Sequence, residues 1–576
     1  MRTPTPNMQP RYAGRCRQYG VFFLLFSLLT LGACEFGTGE VPEWLANLEK
    51  PKKTSVGGAI SRLSVGEDDR FFGVVAVDEP LAALAARNVL AAGGTAADAA
   101  VALYFSLSVT FPAAASLGGG GVCLVYDPQN QEVAVLDFLQ SLPVTDTAQA
   151  GLVPGNVGGM AALHQRFQGK AWRDLIAPAE SYAKKGIRVS RSLARALDRE
   201  SGHLISHTET RHLLANHEGR ILREGSRLYQ FDLASTLKHI GALGPESFYR
   251  GAISKKLVNV SAVRGGVLDH ARLGAFRAAW RLPLTVKFGE NSLYTAGSTG
   301  GRALVRLWEM LIQDARYQTA SAEERPHLLA EISMRAFAGA NTKGDREGWM
   351  ADYDPKSHVP VERLPFAPTA FPDDPATTSY AVVDRKGLSV ICSHTMYRPF
   401  GTGAVVPGVG IFFSGPMVLA NDIALAPLLV MRDVGKARLP ERGGEETGFL
   451  EMKGTDPLDY AEGAVQPYIN MDPVFLAGPS GGAASVTAIA KVAAEVLLLG
   501  QPLVDAMAAP RIHHGGLPDI VSVEEKPGSE QIQGLLERDH RAKVVEQLGH
   551  INAISCMQGV RLGLENCEVV NDLRGF

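Results

Sequence analysis

Two stretches of the chain carry residue types and spacings that can do nucleophilic chemistry. Gly478-Pro479-Ser480-Gly481-Gly482 fits the pattern GxSxG between a strand-like run, VFLA, and a strongly apolar helix-like run, as a serine nucleophile elbow requires. Such an elbow needs an acid and then a histidine downstream, and Asp519 with His540 or His550 are the residues available. Little chain remains to hold them, and a glycine-rich turn that opens a helix also serves plain strand-to-helix packing. The second stretch is PATTSYAVVD, where Thr377 begins a strand-like run straight after the proline-containing segment FAPTAFPDDPA. A threonine hydroxyl is a weak nucleophile near neutral pH. A free α-amino group on the same residue, with a pKa of about 8, can act as its base once the chain is cut just before it.

The 576 residues are 46% hydrophobic and 20% charged, which suits a globular protein with a large core and excludes disorder or a fibre. A formal net charge of -3, with no long run of one sign, gives no electrostatic footprint for nucleic acid. Of the six cysteines, Cys123 and Cys392 sit inside apolar strand-like runs and read as buried thiols. Cys556 and Cys567 flank a turn-like segment near the end, where an oxidising compartment permits a bridge. No CxxC or clustered Cys/His spacing suggests a metal site.

These residues need elements to position them. FFGVVAVD reads as a strand, Pro80 to Ala92 as a helix ended by Gly93-Gly94, and Ala96 to Val109 as an alanine-rich helix suited to close packing under a sheet. The glycine run at 118–121 supports packing, and VCLVYD with EVAVLDF forms a hairpin about Gln129-Asn130. From about 158 to 350 the pattern is mainly helical. SYAVVD and LSVICSHT form a second hairpin about Arg385-Lys386-Gly387, and a strand-like IFF follows Gly410. The segment from about Gly435 to Gly463 has no apolar period and reads as a surface loop.

Across these elements the chain resembles the γ-glutamyltranspeptidases. GGTAADAAVA followed by SLGGGG resembles the family's GGNAVDAAVA and GIGGGG, and LVPGNVGGMAALHQRFQ its VPGTVAGF segment. In the last third TTSYAVVD, FGTGAVVPGVGI, GPSGG and APRIHH resemble TTHxSVVD, FGSGVVVPGTGI, GSPGG and APRFHH. The resemblance implies an α+β fold, the four-layered αββα sandwich of N-terminal nucleophile hydrolases. It also implies self-cleavage of the Ala376–Thr377 bond into a large chain, 71–376, and a small catalytic chain, 377–576, that stay associated as a heterodimer. Thr377 would be the nucleophile, Thr395 the second threonine that hydrogen-bonds to it, and the amides of Gly481 and Gly482 the oxyanion hole. No cofactor or metal is implied.

The substrate handles depart from the family. Its arginine in LDxRExAP falls on Leu139, the asparagine two places after the second threonine on Tyr397, and the acid of NNxMDDF on Leu419. Leaving a buried α-carboxylate or α-ammonium without a partner costs several kcal/mol. The expected substrate is therefore a small-molecule or peptide amide whose acyl part lacks the free glutamyl zwitterion or carries it differently, unless Arg398 or Gln140 compensates. The competing expectations are an ordinary γ-glutamyltransferase or glutathione hydrolase, a non-catalytic lipoprotein, and the Ser480 hydrolase.

At the N-terminus Arg2, Arg11, Arg15 and Arg17 precede the apolar run Val21 to Leu31 and then Gly32-Ala33-Cys34. The run is short for a membrane span and suits a secretory signal. Leu31 to Cys34 resembles a bacterial lipobox, which implies a signal peptide at 1–33, a lipid on Cys34, a polar linker at 34–70, and a protein anchored on the periplasmic face of a membrane. A soluble periplasmic protein is the alternative.

Overall fold

Thr95 illustrates how local chemistry sets the element boundaries. Gly93, at φ +78°, ends one helix, and the Thr95 hydroxyl accepts the Asp98 N–H at 3.1 Å while the Asp98 carboxylate accepts the Thr95 N–H at 2.9 Å. This reciprocal cap starts the next helix at Ala96, shortly after the last one ends at Ala91. The computed structural model describes residues 72–142, 151–167, 169–338, 350, 352–364, 376–416, 422–434 and 471–575.

In chain order the main elements are β1 (Gly73–Ala76), α1 (Pro80–Ala91), α2 (Ala96–Thr110), β2 (Gly120–Asp127), β3 (Glu132–Asp137), α3 (Asn156–Phe167) and α4 (Trp172–Lys185). They continue with β4 (Ala279–Arg281), β5 (Leu284–Phe288), β6 (Asn291–Thr295), α5 (Thr299–Ile312) and α6 (Arg325–Ala338). The last part holds β7 (Thr377–Asp384), β8 (Ser389–Thr395), β9 (Leu428–Asp433), β10 (Met471–Ser480), α7 (Ala483–Leu497), β11 (His550–Ser555) and β12 (Glu568–Asn571). Two six-stranded antiparallel sheets result, in the orders β1-β7-β8-β2-β3-β4 and β12-β11-β10-β9-β6-β5.

Three apolar layers separate four layers of structure. Tyr380, Val382, Val390 and Cys392 turn one face of the first sheet to α1 and α2, while Ala381, Val383 and Ile391 turn the other to Leu429, Leu476 and Ile554 of the second sheet. Val430, Phe475 and Ala477 then meet α5, α6 and α7. This is the α+β sandwich. The alternation of side chains along a strand puts Thr377, Ser379, Ser393 and Thr395 on the face between the sheets, in step with Ala381 and Ile391.

Two expectations are corrected, and a third, which holds in the main, gains strands. Cys123 and Cys392 are bridged, not free thiols: β2 and β8 pair with the two residues directly opposite, Cα atoms 4.0 Å apart, and both face the helices. The mainly helical stretch from 158 to 350 contains β4 and the β5–β6 hairpin. Its signal was the alternation Leu284-Val286-Phe288 about a Gly289-Glu290 turn. The IFF run forms only the single pairs Val405–Phe412 and Gly118–Phe413. Cys556 and Cys567 do bridge, with Cα atoms 4.3 Å apart. The segment 1–70 with Cys34, and the loop at 435–463, lie outside the described residues.

Candidate active site

The register of β7 and β8 sets Thr395 directly opposite Thr377, and that of β8 and β2 sets Gly120 on its other side. The glycine run is what lets the backbones come this close. A Cβ on Gly119 would lie 2.4 Å from the Thr395 carbonyl oxygen, and one on Gly121 2.3 Å from that of Ser393.

Around the Ala376–Thr377 peptide the polar contacts are specific. The Thr395 hydroxyl donates to the Ala376 carbonyl oxygen at 3.0 Å, and the Met396 N–H donates to the same oxygen at 3.0 Å. The Tyr397 N–H donates in turn to the Thr395 hydroxyl at 3.0 Å, which fixes the direction of the first bond. Two donors on one carbonyl draw electron density from its carbon, the atom that Thr377 Oγ would attack. Thr377 is buried, and its Oγ1 has no hydrogen-bond partner among the described residues, so the hydroxyl is not tied up elsewhere. Met396 escaped the sequence reading because a backbone amide has no side-chain signature.

Gly481 and Gly482 lie where β10 turns into α7, at φ +92° and +77°, a backbone region that side-chain-bearing residues rarely adopt. Their strand packs over β7: a Cβ on Gly478 would lie 2.7 Å from the Ser379 Cβ.

Leu139 packs beside Gly120, whose ideal Cβ would lie 3.2 Å from its Cδ1. Tyr397 is buried at φ +61°. Burial pushes its phenol well above the usual tyrosine range, against a hydrogen bond to Ser141 that lowers it and the nearby Asp422 and Asp137 that raise it. Leu139 and Tyr397 thus both flank the Thr395 row. Leu419 lies outside the described residues. Arg398 has its guanidinium 3.8 Å from Glu200, and the Gln140 carbonyl accepts the Val153 N–H.

His394, which the sequence reading passed over, occupies the opposite face of β8 from Thr395. Its Nδ1 donates to Asn156 Oδ1 at 2.9 Å and its Nε2 lies 3.2 Å from the Tyr380 hydroxyl; the ring stacks on Tyr104 and is held neutral by burial, which lowers its pKa to about 3. It anchors the strand and takes no place beside Thr377.

The nominated serine triad does not assemble: His550 is the ladder partner of Ser480 across β10 and β11, but the acid is held elsewhere. Asp519 contacts His514 at 2.9 Å and His358 at 3.0 Å, and His540 contacts His327 at 2.7 Å. These residues form a buried polar network with Glu331 on α6. They include two three-residue sets of metal-ligand type, His327/Glu331/His540 and His358/His514/Asp519. His327 meets the Asp354 carbonyl, His514 takes the Gly516 N–H, and Arg335 pairs with Glu331, so hydrogen bonds already commit most of the donor atoms.

His358 lies between two carboxylates, 2.6 Å from Glu331 and 3.0 Å from Asp519. Burial alone would lower its pKa; the Glu331 hydrogen bond and the charges of Glu331 and Asp519 outweigh that and raise it above 6.5. A raised folded-state pKa gives stability that is fully present below the unfolded value and is lost as pH rises through the folded one. The Tm advantage of the native chain over His358→Gln is therefore expected to be largest at about pH 6 and to shrink steadily toward pH 9. Thermal melts across that range check it, and an advantage that grows with pH would contradict the imidazolium clamp.

Comparison with known proteins decides the lineage. The gamma-glutamyltranspeptidase family profile matches residues 82–419 and 465–575. The chain belongs to that family. It is 30% identical to the glutathione hydrolase proenzyme of Pseudomonas aeruginosa over 493 residues, covering 77% of this chain and 83% of that protein. It is 25% identical to the glutathione hydrolase proenzyme of Escherichia coli over 563 residues, 87% of this chain and 91% of that one. A cephalosporin acylase from Bacillus halodurans has the same fold, with a TM-score of 0.67 at 21% identity over 89% of this chain and 97% of its own. The protein is accordingly an enzyme of a family whose members are processed into heterodimers and act on amides.

Proposed function

We propose that the chain cuts its own Ala376–Thr377 bond and then uses Thr377 as the nucleophile of an amide hydrolase or acyl transferase. The observation that carries this reading is the pair of donors, Thr395 Oγ1 and Met396 N–H, on the Ala376 carbonyl. Thr377 Oγ attacks the Ala376 carbon, the C–N bond breaks, and the hydroxyl proton ends on the Thr377 nitrogen. Water then hydrolyses the resulting ester, releasing a chain that ends at Ala376 and one that begins at Thr377. The new α-amine serves as base in turnover, Thr395 orients the nucleophile, and the amides of Gly481 and Gly482 receive the oxyanion. An amine, a hydroxyl and two amides suffice without a cofactor.

The donor is an amide whose acyl part does not present the free α-carboxylate and α-ammonium of a γ-glutamyl group. Leu139 and Tyr397 support this, because neither offers a charge to either group, and the acid position falls on Leu419. The basic-then-apolar start and the lipobox-like Leu31 to Cys34 support a reading in which 1–33 is an export signal, Cys34 carries lipid and the activity is held on the periplasmic face of a membrane.

A reducing gel with N-terminal sequencing tests the nucleophile. Native protein is expected to give a fragment beginning at Thr377, and Thr377→Ala is expected to stay whole and inactive. An intact native chain would overturn the reading. The same preparation, given glutathione and a γ-glutamyl anilide, is expected to turn both over far more slowly than other acyl amides. Fast turnover of glutathione would restore an ordinary glutathione hydrolase.

A further inference from the structure

The edge of β7 beside Thr377 is held in an unusual way. β1 pairs with β7 only from Gly73–Asp384 to Ala76–Ala381, so the stretch from Thr377 to Tyr380 has no β1 partner. Where β1 leaves, two asparagines take over the backbone groups. The Val77 N–H donates to Asn571 Oδ1 at 2.9 Å, and Asn552 Nδ2 donates to the Ser379 carbonyl at 3.1 Å. Asn552 and Asn571 are direct partners across β11 and β12.

Asn552 also sits opposite Gly478 in the β10–β11 ladder, and Gly478 is the residue that lies against Ser379. One fully buried amide therefore touches the strand that starts at Thr377 from within the sheet whose neighbouring strand runs on to Gly481 and Gly482. The Asp78 carboxyl lies near this amide, with its Oδ1 buried and unpartnered among the described residues. Gly575 packs on that carboxyl, with an ideal Cβ 3.0 Å from its Cγ. Asn552 Oδ1 is likewise buried and unpartnered among the described residues, so the amide is committed by its nitrogen alone.

We propose that Asn552 is a positioning residue that sets the separation between the Thr377 strand and the strand carrying the Gly481–Gly482 turn. This rests on the reading of Thr377 as nucleophile. In the bond-cutting step the threonine oxygen must reach a carbonyl carbon one residue away, and small displacements of β7 change that approach. In turnover the same separation sets how far the oxyanion amides stand from the acyl carbon.

The test is the rate of cleavage before Thr377 as a function of pH, in the full chain, for native protein, Asn552→Ala and Asn552→Asp. Asn552→Ala is expected to cleave about tenfold more slowly, the effect of losing one buried hydrogen bond. Asn552→Asp presents a like-charged oxygen to the Ser379 carbonyl when ionised, and an O–H donor when protonated. Its rate relative to native is therefore expected to rise as pH falls from 8 toward 5, a response that a merely structural lesion would not give. If Asn552→Ala does not fold, Asn552→Asp alone decides. Native-like rates in both variants, or an Asn552→Asp to native ratio independent of pH, would overturn the proposal. A native chain that is itself never cut before Thr377 would overturn the nucleophile reading instead, so the two failures are told apart by the native lane.

Discussion

Thr395→Val is expected to slow cleavage of the Ala376–Thr377 bond by about 10²- to 10³-fold, the range for losing one oxyanion donor. Valine keeps the branched shape and the strand preference, so the change removes a donor and little else. Before attack, the Thr395 hydroxyl and the Met396 amide bond to a neutral carbonyl at 3.0 Å each. As Thr377 Oγ adds, that oxygen takes on negative charge and both bonds become charge-assisted, so they strengthen in the transition state more than in the ground state. The loss therefore falls on the rate. Some of the effect is indirect, because the Tyr397 N–H loses its acceptor and Tyr397 sits at φ +61°. Thr395→Ser separates the two contributions: it keeps the hydroxyl, and is expected to mature within about tenfold of native. Reducing gels over a time course read all three. A Thr395→Val chain that matures at the native rate would show that the carbonyl is not activated from this side.

Much of this site was legible in the sequence, for reasons that differ by residue. Thr377 and Thr395 stood out because family blocks of fixed spacing surround them, and the hairpin about Gly387 could be paired by eye, which puts the two threonines opposite each other. Gly481 and Gly482 were readable because a double glycine between a strand and a helix points to positive φ. The second donor, Met396 N–H, is a backbone group, and nothing in the residue type announces where a backbone amide points. Asn552 was invisible for another reason: its role depends on β1 parting from β7 and on a strand 173 residues away, a relation no local pattern records. Cys123 and Cys392 were misread because each lies in an apolar run, and only the β2–β8 register brings them face to face.

The Cys123–Cys392 bridge changes how the mature protein is held together. Cys123 lies before the proposed cut and Cys392 after it, so their bridge joins the two product chains covalently. Cys556 and Cys567 both lie after the cut, and their bridge joins nothing across it. On a denaturing gel without reductant, matured protein is expected to run as one species near the mass of the uncut chain, and to separate into two only when reduced. Cys392→Ser is expected to give two bands under both conditions. Its chains should still co-purify, because β7 and β8 are inserted between β1 and β2 of the other chain and share its core. The His358 clamp adds to that hold, since α6 and His358 precede the cut while His514, Asp519 and His540 follow it. Breaking a native bridge typically costs about 2–5 kcal/mol, and here it also frees the two chains to part on unfolding, which makes the Tm of Cys392→Ser concentration-dependent where the native Tm is not. Two separate bands from native protein without reductant would show that the bridge is absent in the mature enzyme. The cut would then have to be judged by the N-terminal sequence alone, and the union of the two chains would rest on the shared sheet and on the His358 contacts.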